Sequence, residues 1–417
     1  MMSMRLLVSL SLIALGASLP KVPLSSDALE DYTFDEYLSD FHKSYDDAEE
    51  YRHRHGIFRA TLASILDHHR KRKPHEHELG INMFTDQDMD KDLPLGLVKP
   101  TAVHSAESVA VTQRRQLKEN LPIEISPVSS LPDSVDWRTK GVTTPVKSQG
   151  RCGSCWAFAT TAMLESHVAL ASGVLYSLST QELVSCMSNP RKCGGDGGCM
   201  GATAELAMDF IQNHGVVQEW EFGYQSYHGE KVNCTLKQTS PPARRLRNSQ
   251  NKTGTIPYYV GSVASITTWV SLPRNDYTTL MNAVAKMGPV AVSVAASSWG
   301  LYKQGVFDAP LNTTRQTNVN HLVVVEGYGT DTETGVDYWL VRNSWGPTWG
   351  EGGYIRLKRM DPATDPDAAC GMDTTPADGV ACTIDDKGNP IVPQPEKICG
   401  TSGVLYDTSI PVGAYLV

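Results

Sequence analysis

An α+β domain of two lobes, preceded by a separate helical segment, is the fold class the sequence predicts, and three observations carry it. After about residue 131 the helical patterns come first and the short strand patterns follow, the order expected when helices and sheet are segregated rather than alternated. All nine cysteines lie in that part, whereas residues 27–130 hold eight of the twelve histidines and no cysteine, so two units of different composition adjoin. No internal repeat of fixed period suggests a solenoid or propeller.

The elements follow in chain order. Arg5 precedes an apolar run, Leu6 to Ala14, that ends in Gly16, Ala17 and Ser18, which predicts a secretory signal peptide over 1–17. The run is too short for a bilayer that needs about 20 apolar residues. Asp46 to Arg72 places Tyr51, Ile57, Phe58, Leu62, Ile65 and Leu66 at helical spacing among charges, an amphipathic helix that needs a surface to pack on. Residues 98–130 contain Pro100, Pro122 and Pro127 without sustained period and read as an extended connector. A cut near Leu131 leaves 18–130 as a pro-segment and 131–417 as the mature part. Helices are predicted over Trp156–Ser172 and Thr203–Asn213, ended by Gly173 and Gly215. Strands are predicted over Val290–Ala295, His321–Tyr328, Tyr338–Asn343 and Gly353–Lys358.

Composition removes several function classes. A formal net charge of −9 does not supply the basic surface that nucleic acid needs. No later stretch is long and apolar enough to span a membrane. Entry into the secretory route permits disulfides, and an odd cysteine count leaves at least one thiol free. Asn233, Asn251 and Asn312 each have Thr two places on and are candidate glycan acceptors.

The chemistry concentrates in Gln149-Gly-Arg-Cys152-Gly153-Ser154-Cys155-Trp156. A thiol at the start of the Trp156 helix feels the positive end of its dipole, which favours the thiolate, and Ser154 is a candidate N-cap. Cys152 and Cys155 also have the spacing of a redox pair, so distant partners must decide. His321 opens an apolar strand, and Asn343-Ser-Trp345-Gly-Pro-Thr-Trp349-Gly begins 22 residues later.

Together these motifs resemble the papain family, in which a histidine pairs with the cysteine thiolate and an asparagine amide holds the imidazole. The resemblance implies a two-lobed papain-like fold, a helical lobe beside an antiparallel barrel-like lobe. It makes Cys155 the nucleophile, His321 its base, Asn343 the orienting amide and Gln149 an oxyanion donor alongside the backbone N–H of Cys155. Trp345 and Trp349 would shield the His321–Asn343 bond. Gly153, Ser154, Gly201, Ala202 and Trp349 would meet substrate, with Gly201-Ala202 replacing the Gly-Gly of relatives and Cys193-Gly-Gly as a competing alignment. Glu50, Arg54, Phe58 and Ile65, followed by Gly80-x-Asn82-x-Phe84-x-Asp86, resemble the inhibitory propeptide of cathepsin L-like zymogens; Thr61 and His69 stand where that pattern has asparagine. The implied protein is a monomeric cysteine endopeptidase acting on proteins and peptides. It is held by its own propeptide and is open to inhibitors of cystatin type. It requires no cofactor or metal, and its destination is a lysosome or acidic vacuole, or the extracellular space. An inactive papain-like binding protein, an exopeptidase and a disulfide oxidoreductase are the rival readings.

Departures from the pattern mark two added segments. His321 lies 166 residues after Cys155, against about 130–150 in the family, which points to insertion. One candidate is residues 236–255, read as an exposed loop; the other is an extended, proline-rich tail over 370–417. The resemblance implies disulfides Cys152–Cys199 and Cys186–Cys234 and leaves Cys193, Cys370, Cys382 and Cys399 unassigned. It puts either Thr375 or Asp407 at the wall of the pocket for the second substrate residue. Finally, His68, His69, His75 and His77 surround four permanent cations at the end of the pro-helix. Histidine titrates near pH 6.5, so an acid-triggered release of the pro-segment is expected, with Glu50 and Asp86 as carboxylates whose protonation contributes.

Overall fold

The computed structural model describes residues 26–97, 122–238, 245–247, 253–255 and 258–417. The expected signal peptide, residues 98–121 of the expected connector, much of the first insertion and Asn251 lie outside the described residues. Four apolar clusters organise the described residues.

After a five-residue helix, Ser26–Glu30, the N-terminal segment forms α1 (Phe34–Asp40) and α2 (Ala48–Lys71). Asp47 caps α2 by accepting from the Glu49 N–H, Glu49 and Glu50 lie at its positive end, and His68 to Lys71 at its negative end, the charge arrangement a helix dipole favours. Its apolar stripe buries Phe58 and Ile65 against Leu29, Phe34, Tyr37 and Ile81. After the helix, β1 (Glu78–Leu79) pairs antiparallel with residues 302–304 of the mature part. The pro-segment thus joins the mature part through backbone as well as side chains.

In the helical lobe, α3 (Cys155–Ser172) is buried on almost every side, as expected from its run of small and apolar residues. Gly173 ends it at φ 76°, a left-handed cap that a side chain would strain. Helix α4 (Ala204–His214) has Thr203 as N-cap and Gly215 as C-cap. Both helices pack with Val216, Val217, Ile266 and Trp269 in one apolar cluster.

The second lobe is built on β2 (Val135–Asp136), β3 (Val216–Val217), β4 (Ser262–Ser271), β5 (Val290–Val294), β6 (Tyr302–Gln304), β7 (Val306–Phe307), β8 (His321–Thr330), β9 (Asp337–Arg342), β10 (Tyr354–Lys358), β11 (Cys370–Asp373), β12 (Glu396–Cys399) and β13 (Asp407–Leu416). Nine of these form one sheet in the order β3-β4-β13-β5-β8-β9-β10-β7, with β2 on the side of β8. The expected barrel is not closed. Its terminal strands are two residues each and bury into different clusters, Val216 and Val217 with the helices and Phe307 with the sheet, so no ladder joins them. β7 pairs parallel with β10, against the all-antiparallel expectation. Within the first insertion, residues 245–247 pair antiparallel with 253–255.

Four disulfides are present. Cys152–Cys199 and Cys186–Cys234 are the implied pairs, and Cys193–Cys382 and Cys370–Cys399 take the four unassigned cysteines. Cys155 is the free thiol. Among the described residues, no helix is long and apolar enough to cross a membrane.

Candidate active site

Helix α3 and strand β8 bring the two key side chains together from opposite lobes. Cys155 is the first residue of α3, and its sulfur accepts the backbone N–H of Leu322 at 3.2 Å, the residue next to His321. The His321 Nε2–H donates to Asn343 Oδ1 at 2.8 Å, and Nδ1 is buried without a hydrogen-bond partner. The ring is thus held by one nitrogen and keeps the other as an open proton acceptor. Asn343 Oδ1 also accepts from the Ser344 N–H, which fixes the amide.

Aromatic rings enclose the imidazole. Trp345 lies 5.0 Å from it, centroid to centroid, and Trp299 stands edge-on at 6.3 Å. Trp349 does not reach the histidine but packs edge-on behind Trp345 at 5.0 Å. Trp299 was not singled out from sequence, because a tryptophan between strands carries no motif of its own.

Gln149 is fully buried, and its amide is oriented by the Ser344 hydroxyl, which donates to Oε1 at 2.5 Å. Its Nε2 donates to the Pro94 carbonyl at 2.8 Å and to Cys152 O at 2.9 Å. The Trp345 indole reaches the same Pro94 oxygen at 3.4 Å. Ser154 occupies the N-cap position of α3 without a side-chain capping bond. Its hydroxyl instead meets the Tyr224 hydroxyl at 2.8 Å, and Tyr224 in turn donates to Gln149 O. The sharp turn before the nucleophile is stabilised by that relay rather than by a cap.

The pro-segment lies directly over this site. A Cβ placed on Gly96 would sit 2.6 Å from Cys155 Sγ and 2.6 Å from Gly153 O, so only glycine fits there. A Cβ on Gly153 would meet Leu95 O, and one on Gly201 would meet Gly96 O. Two of the sequence-predicted substrate residues, Gly153 and Gly201, therefore face the segment 95–96 that covers the nucleophile. Leu97 donates its N–H to Asn320 O and is buried with Leu311, Val319, Val380, Ile398 and Tyr406. Thr375 donates its N–H to Asp373, and the Asp407 carboxylate accepts from Ser293 within the sheet. The tail residues Val380, Ile398 and Tyr406 belong to the apolar cluster around Leu97, and Tyr406 adjoins the buried Asp407.

Burial sets the electrostatics. Cys155 is wholly enclosed, which pushes its thiol up to about 12 against the N–H groups of Leu322, Gly96 and Trp156 that favour the thiolate. Enclosure likewise holds His321 down at about 4, with the Asn343 bond opposing. Both groups are therefore neutral at pH 7, and the helix dipole does not overcome desolvation.

Upstream, the pro-segment is fastened at several points. Asn82 Nδ2 donates to Gly300 O at 2.7 Å, and Phe84 packs edge-on against Trp345 at 5.3 Å. Asp86 is fully buried and accepts from Tyr37, Lys43 and Tyr45.

Residues 131–380 match the family described as papain family cysteine protease, and residues 34–90 match the cathepsin propeptide inhibitor domain. Germination-specific cysteine protease 1 of Arabidopsis thaliana is 36% identical over 324 residues, 76% of this chain and 75% of its own length. Cathepsin L of Sarcophaga peregrina is 33% identical over 363 residues, 85% and 94% of the two chains. Among solved structures, digestive procathepsin L 3 of Tenebrio molitor larval midgut aligns with a TM-score of 0.61 at 27% identity, covering 91% of this chain and 97% of its own. A recombinant stem bromelain precursor aligns with a TM-score of 0.60 at 29% identity and the same coverage.

Proposed function

The chain belongs to the papain family of cysteine proteases, and on that premise we propose that Cys155, His321, Asn343 and Gln149 carry the hydrolysis performed by a cysteine endopeptidase made as a zymogen. The observation that carries the assignment is the free Nδ1 of His321, beside the nucleophile's helix and fixed through Nε2 by Asn343. In the uncovered site His321 Nδ1 takes the proton of Cys155, and the thiolate attacks the scissile carbonyl carbon. The Gln149 amide and the Cys155 N–H stabilise the oxyanion. His321 then protonates the departing amine as the C–N bond breaks, and later removes a proton from the water that releases Cys155 from the thioester.

Residues 18–130 are on this reading the propeptide and 131–417 the mature enzyme. A monomeric state, inhibition by proteins of cystatin type, and an acidic or extracellular destination belong to it as well. Asn233 and Asn312 are exposed, which suits glycan acceptors. Internal cleavage is expected because Leu95, Gly96 and Leu97 run through the cleft as continuous chain. Mass spectrometry of products from a peptide library should find cuts well inside the peptides; release of only terminal residues or dipeptides would refute endopeptidase action.

Among the four histidines at the end of the pro-helix, His77 carries the acid response on this reading. Its ring packs 4.7 Å from Phe307 and 6.4 Å from Tyr302 of the mature part. His68 and His69 instead donate to the carbonyls of His77 and Leu79. Burial, assisted by the nearby charges of His68 and Arg72 and opposed by Glu76 and Asp308, holds the packed His77 down at about 4. An unpacked histidine titrates near 6.5. The packed state thus binds fewer protons, so packing weakens as pH falls below 6.5 and the loss levels off near 4, at about 1.4 kcal/mol per pH unit between. His77→Gln should move the midpoint of precursor processing to lower pH. An unchanged midpoint would remove His77 from the trigger.

A further inference from the structure

The Cys193–Cys382 disulfide joins a loop of the helical lobe to the added tail, and both of its ends lie beside the pocket that holds Leu97. On one side, Gly194 follows Cys193, and a Cβ there would sit 2.9 Å from Leu97 Cδ2. On the other, Val380 stands two residues before Cys382 and packs in the same apolar group as Leu97. The Gly194 N–H donates to Ala381 O at 3.2 Å, and Arg191 Nε donates to Ile384 O at 3.3 Å. The tail is therefore docked on the helical lobe by backbone and side chain on both flanks of the bond.

Holding the tail to its own lobe does not need this bridge. Cys370–Cys399 and the β11–β12 ladder already close its base. A Cβ on Gly379 would sit 2.1 Å from Val319 O, so the tail backbone lies directly on a residue of the Leu97 pocket. What the Cys193–Cys382 bond adds is a tie between lobes at that pocket.

We propose that residues 376–399, tied by Cys193–Cys382, are an added selectivity wall that closes the pocket for the second substrate residue around an aliphatic side chain of about leucine size. The inference rests on the proposed enzymatic reading, in which Gly96 lies at the nucleophile and Leu97 therefore occupies the neighbouring side-chain site. Leu97 is completely buried there, packed with the tail residues Val380, Ile398 and Tyr406. A bulkier ring must displace Val380 or Gly194, both anchored next to the disulfide. The wall acts by exclusion more than by new attraction.

The test uses full-length precursor processed in acid and three peptides that differ only in having Leu, Phe or Arg as the second residue before the cleaved bond. The wild-type enzyme should favour Leu over Phe and over Arg by at least about tenfold in kcat/KM, the range one side-chain pocket commands. The C193S/C382S variant should lose most of the Leu-over-Phe preference, and Val380→Ala should shift the same ratio toward Phe. Should the double variant fail to fold, Val380→Ala alone decides. A ratio unchanged in a variant that still cleaves, or a wild-type preference for Phe or Arg, would overturn the proposal. A wild-type enzyme that cuts none of the peptides would overturn the enzymatic reading beneath it, and the two failures are thereby distinguished.

Discussion

At pH 7 the intact precursor should resist alkylation at Cys155, while the processed enzyme should be labelled there at least about a thousand times faster. In the precursor, Gly96 covers the sulfur and enclosure pushes the thiol up to about 12, so the thiol stays protonated at neutral pH. Enclosure also holds His321 down at about 4, so the imidazole supplies no cation to stabilise a thiolate. Removing residues 94–97 admits water to both groups, and each shift reverses in direction: the thiol falls and the imidazole rises. The two then meet as thiolate and imidazolium, with the helix dipole now adding to the ion pair. Competition between iodoacetamide and processing, with labelled residues located by mass spectrometry, measures this directly. Comparable rates for precursor and processed enzyme would show that the cleft is open in the zymogen. Cys155→Ala should abolish both peptide cleavage and self-processing; residual hydrolysis by that variant would move the nucleophile elsewhere.

How much of this was legible in the sequence depended on whether a feature was local. The pro-helix over Asp46–Arg72 and the helix after Cys155 carry their caps and apolar stripes within a few residues, and they stand within two residues of the observed ends. The strands at 290, 321, 338 and 354 were readable because each is a short apolar run closed by turn residues. Strand β13 was not: Pro411 and Gly413 interrupt it, and its long pairing with β4 exists only in three dimensions. Catalytic candidates stood out because Cys155, His321 and Asn343 sit in short motifs that resemble those of the papain family. Cover and wall residues did not. Gly96 and Leu97 belong to no pattern, and Val380 and Ile398 become pocket residues only once Cys193 and Cys382 are joined, one of 105 pairings open to eight cysteines. The states of Cys155 and His321 were also misjudged by local reasoning, because the helix terminus that favours a thiolate was visible and the lid that forbids it was not.

Gln149→Ala should lower kcat of the processed enzyme by about 10² to 10³, with KM little changed, because its amide works on the transition state. The side chain is held for that task before substrate arrives. Ser344 Oγ donates to Oε1, which leaves the Nε2 hydrogens to point away, and one of them meets the Pro94 carbonyl while another meets Cys152 O. In the precursor the propeptide thus occupies a donor that catalysis would aim at an oxyanion. A ground-state carbonyl gains an ordinary hydrogen bond from it, whereas a developing negative charge gains roughly twice as much. Loss of the donor should consequently cost about 3 kcal/mol in the chemical step and much less in the grip of the propeptide, which keeps Asn82, Phe84 and Asp86. Ser344→Ala provides the control: it leaves the amide in place but frees it to rotate, and a smaller fall in kcat is expected. If Gln149→Ala raised KM while leaving kcat intact, the amide would be a binding group and the oxyanion would need another donor.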